Sequence, residues 1–121
     1  MRNFRKWNVW MEGVHFVKAI YELCSKFPAN EKYGLASQLQ RAAVSIPTNI
    51  AEGAGRNTEK ELKHFLYISL GSSFEVETLI IIAKDLGYIT ENAREDIFSR
   101  LSVIQKRLNT FIGKLNQESK H

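Results

Sequence analysis

A chain of 121 residues with 44% hydrophobic residues is the size of one ordinary domain and can bury a core without disulfides or a structural metal. Its single cysteine, Cys24, has no intramolecular partner, which excludes a disulfide framework and fits a reducing cytoplasm. The net charge of +4 is a mild excess that suits a nucleic-acid or acidic-partner surface and equally well a solvated, solubilising one.

Punctuation is sparse, with two prolines and most glycines near predicted helix ends or turns, and no alternating strand pattern occurs. The first helix is predicted from about Arg5 to Lys26, stopping before Phe27-Pro28 because proline disfavours helix in the residue ahead of it. The second is predicted from near Glu31 to about Gly55, and its pattern runs straight through Pro47. Leu35, Leu39, Ala42, Ala43, Ile46 and Ile50 share one arc, while Gln38, Arg41, Ser45, Asn49, Glu52 and Arg56 share a stripe beside it. An internal proline removes the amide that would bond the Ala43 carbonyl and costs on the order of 3 kcal/mol unless a kink or other packing relieves it. A kink at Pro47 is therefore expected, with Ser45, Thr48 and Asn49 at hand to satisfy freed carbonyls. The polar stripe has two readings: an architectural one, in which Arg41, Glu52 and Arg56 pair among themselves, and a groove for a ligand or a neighbouring subunit.

Thr58-Glu59-Lys60-Glu61 has the form of a capping box and opens the third helix. Leu62, Phe65, Ser69, Ser72, Val76, Leu79, Ala83 and Leu86 then recur at three- and four-residue spacings, and Gly87 supplies a left-handed closing position. Thr90 caps the fourth helix, where Ile97, Leu101, Ile104, Leu108, Phe111 and Leu115 continue the pattern. Four long helices joined by short loops are most simply one antiparallel up-and-down four-helix bundle domain over residues 1–121, all-α, with the second helix kinked. The residues after the charged start include Asn8, Glu12, His15 and Lys18, which interrupt any signal-peptide core, and no run approaches the roughly 20 apolar residues of a membrane span. A soluble cytoplasmic protein with no membrane contact is expected.

The apolar surface exceeds what one bundle needs. On the first helix Trp10, Val14, Val17, Tyr21 and Cys24 cover one arc and Val9, Phe16, Ile20, Leu23 and Phe27 the next. On the third, Leu66, Leu70, Phe74 and Ile81 lie away from the arc centred on Phe65, Val76 and Ala83. Surplus faces predict self-association, with Phe16, Leu23, Leu66, Leu70, Phe74 and Ile81 as subunit contacts.

Catalytic chemistry is thin. His15, His64 and His121 are scattered, no metal-ligand spacing occurs, and neither a metal nor a cofactor is expected. Cys24 lies on an apolar arc and reads as a packed small hydrophobe. Gly53-Ala54-Gly55-Arg56 follows a helix and lacks the strand-turn-helix setting of a phosphate loop, so it reads as a helix exit. The N-terminal Arg2, Phe4, Arg5, Lys6, Trp7 and Trp10 interleave cations with aromatics, which suits phosphate contact plus base stacking, although Trp10 fits the core. Arg100, Arg107 and Lys114 repeat every seven residues, with Asp96 placed to pair with Arg100.

The combination of Val9-Trp10, Phe27-Pro28, Tyr33-Gly34-Leu35, the run Gln38 to Ala43, the run Ser45 to Gly53, and Gly71-Ser72 resembles the family of 23S rRNA intervening sequence proteins. That resemblance implies a small bacterial four-helix bundle protein with no established enzymatic activity. The family is similar in fold to the accessory variability determinant proteins of diversity-generating retroelements, pentameric barrels with basic surfaces that bind nucleic acid and reverse transcriptase. By that likeness a homopentamer is expected, and five copies would carry about +20. The third helix is acidic, a departure from a strongly basic surface. The reading is a non-enzymatic homo-oligomer that binds RNA, another nucleic acid or a ribonucleoprotein through Arg2, Arg5, Lys6, Arg41, Arg56, Arg100, Arg107 and Lys114. The alternative is a scaffold for a protein partner, in which the same cations only confer solubility.

Overall fold

Local hydrogen bonding decides where the helices begin and end. In the computed structural model, which describes residues 2–118, a 3-10 turn at Phe4–Lys6 leads into α1, Asn8–Cys24. A second such turn, Ala29–Glu31, precedes α2, Leu35–Ala54. α2 starts later than Glu31 because that residue acts from outside: its carboxylate accepts from the Leu35 amide at 3.2 Å and from the Tyr88 hydroxyl at 2.8 Å. α3 spans Glu59–Asp85 behind the Thr58 cap, whose hydroxyl accepts from the Glu61 amide at 3.1 Å. α4, Glu91–Glu118, opens with Thr90 accepting from the Ala93 amide at 3.1 Å, and Gly87 takes φ +80° in the turn between.

The Tyr88 hydroxyl, and secondarily the Leu35 amide, holds the Glu31 carboxyl below its ordinary range. A depressed carboxylate pKa stabilises the fold above its unfolded value, and the contribution is lost as pH falls through the folded value. Glu31→Gln is accordingly expected to lower stability in the neutral region, where the carboxylate contributes, and to leave the acid end nearly unchanged, so that stability depends less on pH in thermal melts between about pH 3 and 7.

Helices adjacent in sequence are adjacent in space, the α2–α3 pair most extensively, and α1 meets α4 to close the ring. The α1–α4 seam is the sparsest of the four. One core runs through the bundle, with Phe16 and Ile20 of α1, Leu39, Ile46 and Ile50 of α2, Leu62, Leu66 and Ile80 of α3, and Leu101, Ile104 and Leu108 of α4 all fully or nearly fully buried. The described residues contain four α-helices and no strand, so the all-α four-helix bundle is the fold.

The rotation of two helices departs from the periodicity argument. Phe16 and Leu23, expected as subunit contacts, are buried inside the subunit at 2% and 8% exposure, and Leu66 and Leu70 at 0% and 8%. α3 touches α2 and α4 together, so its buried arc widens to take in Leu66, Leu70, Ser73 and Ile80, while Phe65 and Ser72 are only half-buried and Leu86 is exposed. On α4 Ile112 is buried where Phe111 was expected. The apolar side chains left outside α3 are Tyr67, Phe74 and Ile81, one every seven residues and 50%, 51% and 43% exposed, with Ile68 and Ile82 beside them. α3 is long and apolar enough to cross a membrane by length and mean composition, although Glu75, Glu77 and its serines interrupt any continuous apolar run. Its buried residues nevertheless belong to the bundle core.

α2 continues through Pro47, and side chains bond the backbone carbonyls of the two residues ahead of it. Ser69 of α3 donates to the Ile46 carbonyl at 2.9 Å, and Asn49 donates to the Ser45 carbonyl at 2.8 Å. Pro47 itself is buried, and α1 approaches it through Gly13, where an added Cβ would lie 3.3 Å from the Pro47 Cβ. Ser69 is wholly buried, and no buried side-chain nitrogen or oxygen among the described residues lacks a partner. Ser69→Ala would remove this cross-helix bond to the Ile46 carbonyl, an expected loss of about 0.5–1.5 kcal/mol in denaturant unfolding. Thr48→Ala, on the exposed side of the same turn, is expected to change stability by less than about 0.5 kcal/mol.

Candidate nucleic-acid interface

The eight cations nominated from the sequence divide by what they touch. Arg2 donates to the Arg56 carbonyl at 2.8 Å and the Ala54 carbonyl at 3.3 Å, so it ties the N-terminus to the exit of α2 and serves structure. Arg56 stacks on Phe65 at 4.6 Å and Arg5 on Phe4 at 4.7 Å. Arg100 pairs with Asp96 at 3.2 Å, as the spacing predicted. Arg107 pairs with Glu12 at 2.9 Å across the α1–α4 seam. Lys6, Arg41 and Lys114 join none of the ion pairs among the described residues, and Glu52 pairs with neither Arg41 nor Arg56, contrary to the architectural reading of the stripe.

The structure brings only part of this set together. α4 carries Arg100, Lys106, Arg107 and Lys114 between Asp96 and Glu118 with no intervening carboxylate. Where the sparse seam opens at the start of α1, a cavity of about 670 Å³ is lined by Trp7, Asn8 and Val9 from one side and Val103, Lys106, Arg107, Thr110, Phe111 and Lys114 from the other. Trp7 meets Phe111 edge to face at 5.0 Å, which joins the N-terminal aromatic cluster to α4 and forms the floor. Trp10 turns to Phe4 instead, at 5.2 Å, and packs against the core. A smaller hollow of about 220 Å³ continues along the seam between Glu12, His15 and Phe16 of α1 and Arg100, Val103 and Ile104 of α4. The Glu12–Arg107 pair stands between the two.

Lys106 was missed from the sequence because only the seven-residue line through Arg100, Arg107 and Lys114 was followed. The carboxylate-free run of α4 was the available signal. Arg41 lies on a separate face, in a hollow of about 520 Å³ shared with Tyr21, Gln40, Thr48 and Glu52. Within that polar stripe Ser45 bonds Ser72 of α3 at 2.7 Å and receives a bond from Asn49, so these two residues hold α2 to α3. Lys6 lies in the 3-10 turn immediately before Trp7.

Other reactive groups lie in ordinary surroundings. Burial pushes the Cys24 thiol up to about 11, the state of a packed, unreactive thiol. His15 and His64 are exposed, the latter against Phe65 at 5.6 Å, and His121 lies outside the described residues.

Fold and seam define the class of protein: an all-α four-helix bundle with an aromatic, cation-lined groove. Among the described residues, no group of three or more His, Cys, Asp or Glu is placed to hold a metal ion. The chain belongs to the 23S rRNA-intervening sequence protein family, whose model matches residues 5–110. It is similar in fold to a protein of unknown function from the S23 ribosomal protein family of Bacteroides thetaiotaomicron VPI-5482. That likeness has a TM-score of 0.81 at 24% identity and covers 87% of this chain and 95% of the other. No curated protein matches the chain.

Proposed function

We propose that this protein is a non-enzymatic, cytoplasmic homo-oligomer that associates with RNA or a ribonucleoprotein through the basic side of the α1–α4 seam. The observation that carries the reading is the stretch of α4 with Arg100, Lys106, Arg107 and Lys114 and no carboxylate, in which Lys106 and Lys114 make no ion pair among the described residues. Lysines without a carboxylate partner have no local counter-charge competing with a phosphate. The family description supports an RNA setting. Titrating labelled structured RNA and duplex DNA at two salt concentrations tests it: binding that weakens steeply with salt supports phosphate contacts, and absence of binding even at low salt refutes the reading.

The exposed α3 stripe of Tyr67, Phe74 and Ile81 favours the self-association part of the reading, with Phe74 and Ile81 as the contacts retained from the sequence argument. The stripe also supports the rival reading, a scaffold that binds a protein partner without touching nucleic acid. A pentamer mass in light scattering is the expected result, and a monomer mass at micromolar concentration would remove the oligomer.

A further inference from the structure

We propose that the groove between the start of α1 and the second half of α4 takes an unpaired segment of single-stranded nucleic acid, with a base against Trp7 and Phe111 and flanking phosphates on Lys106 and Lys114. The inference rests on the polyanion-binding reading above and adds which form of nucleic acid the seam selects and how.

The walls of the groove are complementary to that occupant. Its lining holds Lys106, Arg107 and Lys114 and no carboxylate, although Arg107 is held by Glu12 from just outside. Lys106, Thr110 and Lys114 rise along one side of α4 at four-residue steps, so two cations and a hydroxyl donor follow a line about 12 Å long. The floor is aromatic, and every base has a face that can stack on an aromatic side chain whatever its sequence. Asn8 adds an amide that both donates and accepts, the chemistry that pairs with a base edge. The volume of about 670 Å³ falls within the range of small-ligand sites. A duplex keeps its bases stacked and paired and presents its backbone, so it would meet the lysine rim and leave the floor empty. An acidic amphipathic peptide would satisfy the same lysines, but it has less use for an amide beside the indole.

The test uses the full chain and one labelled oligonucleotide of about 12 nucleotides, presented as single-stranded RNA, as single-stranded DNA and as RNA annealed to its complement. A Trp10→Phe background leaves Trp7 as the sole tryptophan, so its emission reports the floor. The expected result is quenching of Trp7 by the single strands and binding of them at least about tenfold tighter than of the duplex. Equal binding of RNA and DNA assigns the groove to single strands in general, and preference for RNA adds a contact to the 2′-hydroxyl. The Lys106→Ala, Lys114→Ala double variant is expected to lose about tenfold in affinity and to lower the salt slope for single strands by about 1.4, with an unchanged melting curve because both side chains are exposed. Val103→Glu, on the exposed floor, should weaken the single strands by a similar factor while the protein remains folded.

If duplex and single strands bind alike, Trp7 emission does not move and Val103→Glu has no effect, the groove is overturned while polyanion binding stands. If no oligonucleotide binds at low salt, both fail. Quenching of Trp7 by a Glu-rich amphipathic peptide and by no nucleic acid would assign the groove to a protein partner and overturn the proposal.

Discussion

Phe16→Ala is expected to cost about 3–5 kcal/mol of subunit stability and to lower the melting temperature by roughly 10–20 °C. Phe16 is 2% exposed and lies among the large side chains of the core, so truncation leaves a cavity that α1, pinned through Gly13 against Pro47 and through Trp7 against Phe111, cannot collapse to fill. Phe74 has the same chemistry and the opposite surroundings, at 51% exposure on the outer side of α3. Phe74→Ser is expected to stay within about 0.5 kcal/mol for the isolated subunit and to act on the light-scattering mass. Denaturant unfolding with circular dichroism, repeated across protein concentrations, separates the two effects. A folded Phe16→Ala protein of unchanged midpoint would contradict the placement of α1.

The second large effect has a sign that helix propensity gets wrong. Replacing glycine by alanine inside a helix ordinarily gains about 1 kcal/mol. At Gly53, near the end of α2, an added Cβ would stand 2.9 Å from the Phe65 Cβ and 3.1 Å from the Leu62 carbonyl oxygen. Those atoms are the root of a side chain and a backbone carbonyl, which no rotamer change can move. α2 and α3 would have to separate where they approach each other closely, at a cost of about 1–3 kcal/mol. Gly53→Ala is therefore expected to destabilise, and Gly113→Ala, with nothing within 4 Å of its added carbon, to stabilise by about 0.5–1 kcal/mol. Urea midpoints moving in opposite directions for the two variants are the expected result.

Gly53 also shows how much was legible beforehand. The sequence placed it at the exit of a helix, which is correct, but a close approach to Leu62 and Phe65 is a property of two helices and leaves no mark in either alone. The same divide runs through the candidate site. Trp7 among N-terminal cations and Arg107 and Lys114 on α4 were readable as separate fragments. Their meeting in one groove depends on how α1 lies across α4, which also brings in Lys106 and removes Arg2 to the end of α2.

What the sequence by itself determined is the local architecture: four helices, the Thr58 and Thr90 caps, the left-handed turn at Gly87 and the passage of a helix through Pro47. Such features arise from hydrogen bonds and backbone preferences acting within a turn or two, so contiguous residues encode them. Only the tertiary structure decided which apolar arc of α1 and α3 turns inward, and that Ser69 of a different helix donates to the Ile46 carbonyl beside the proline. A helix with more apolar surface than one neighbour can cover has several rotations of similar local merit, and the one adopted is chosen by the packing of all four helices together.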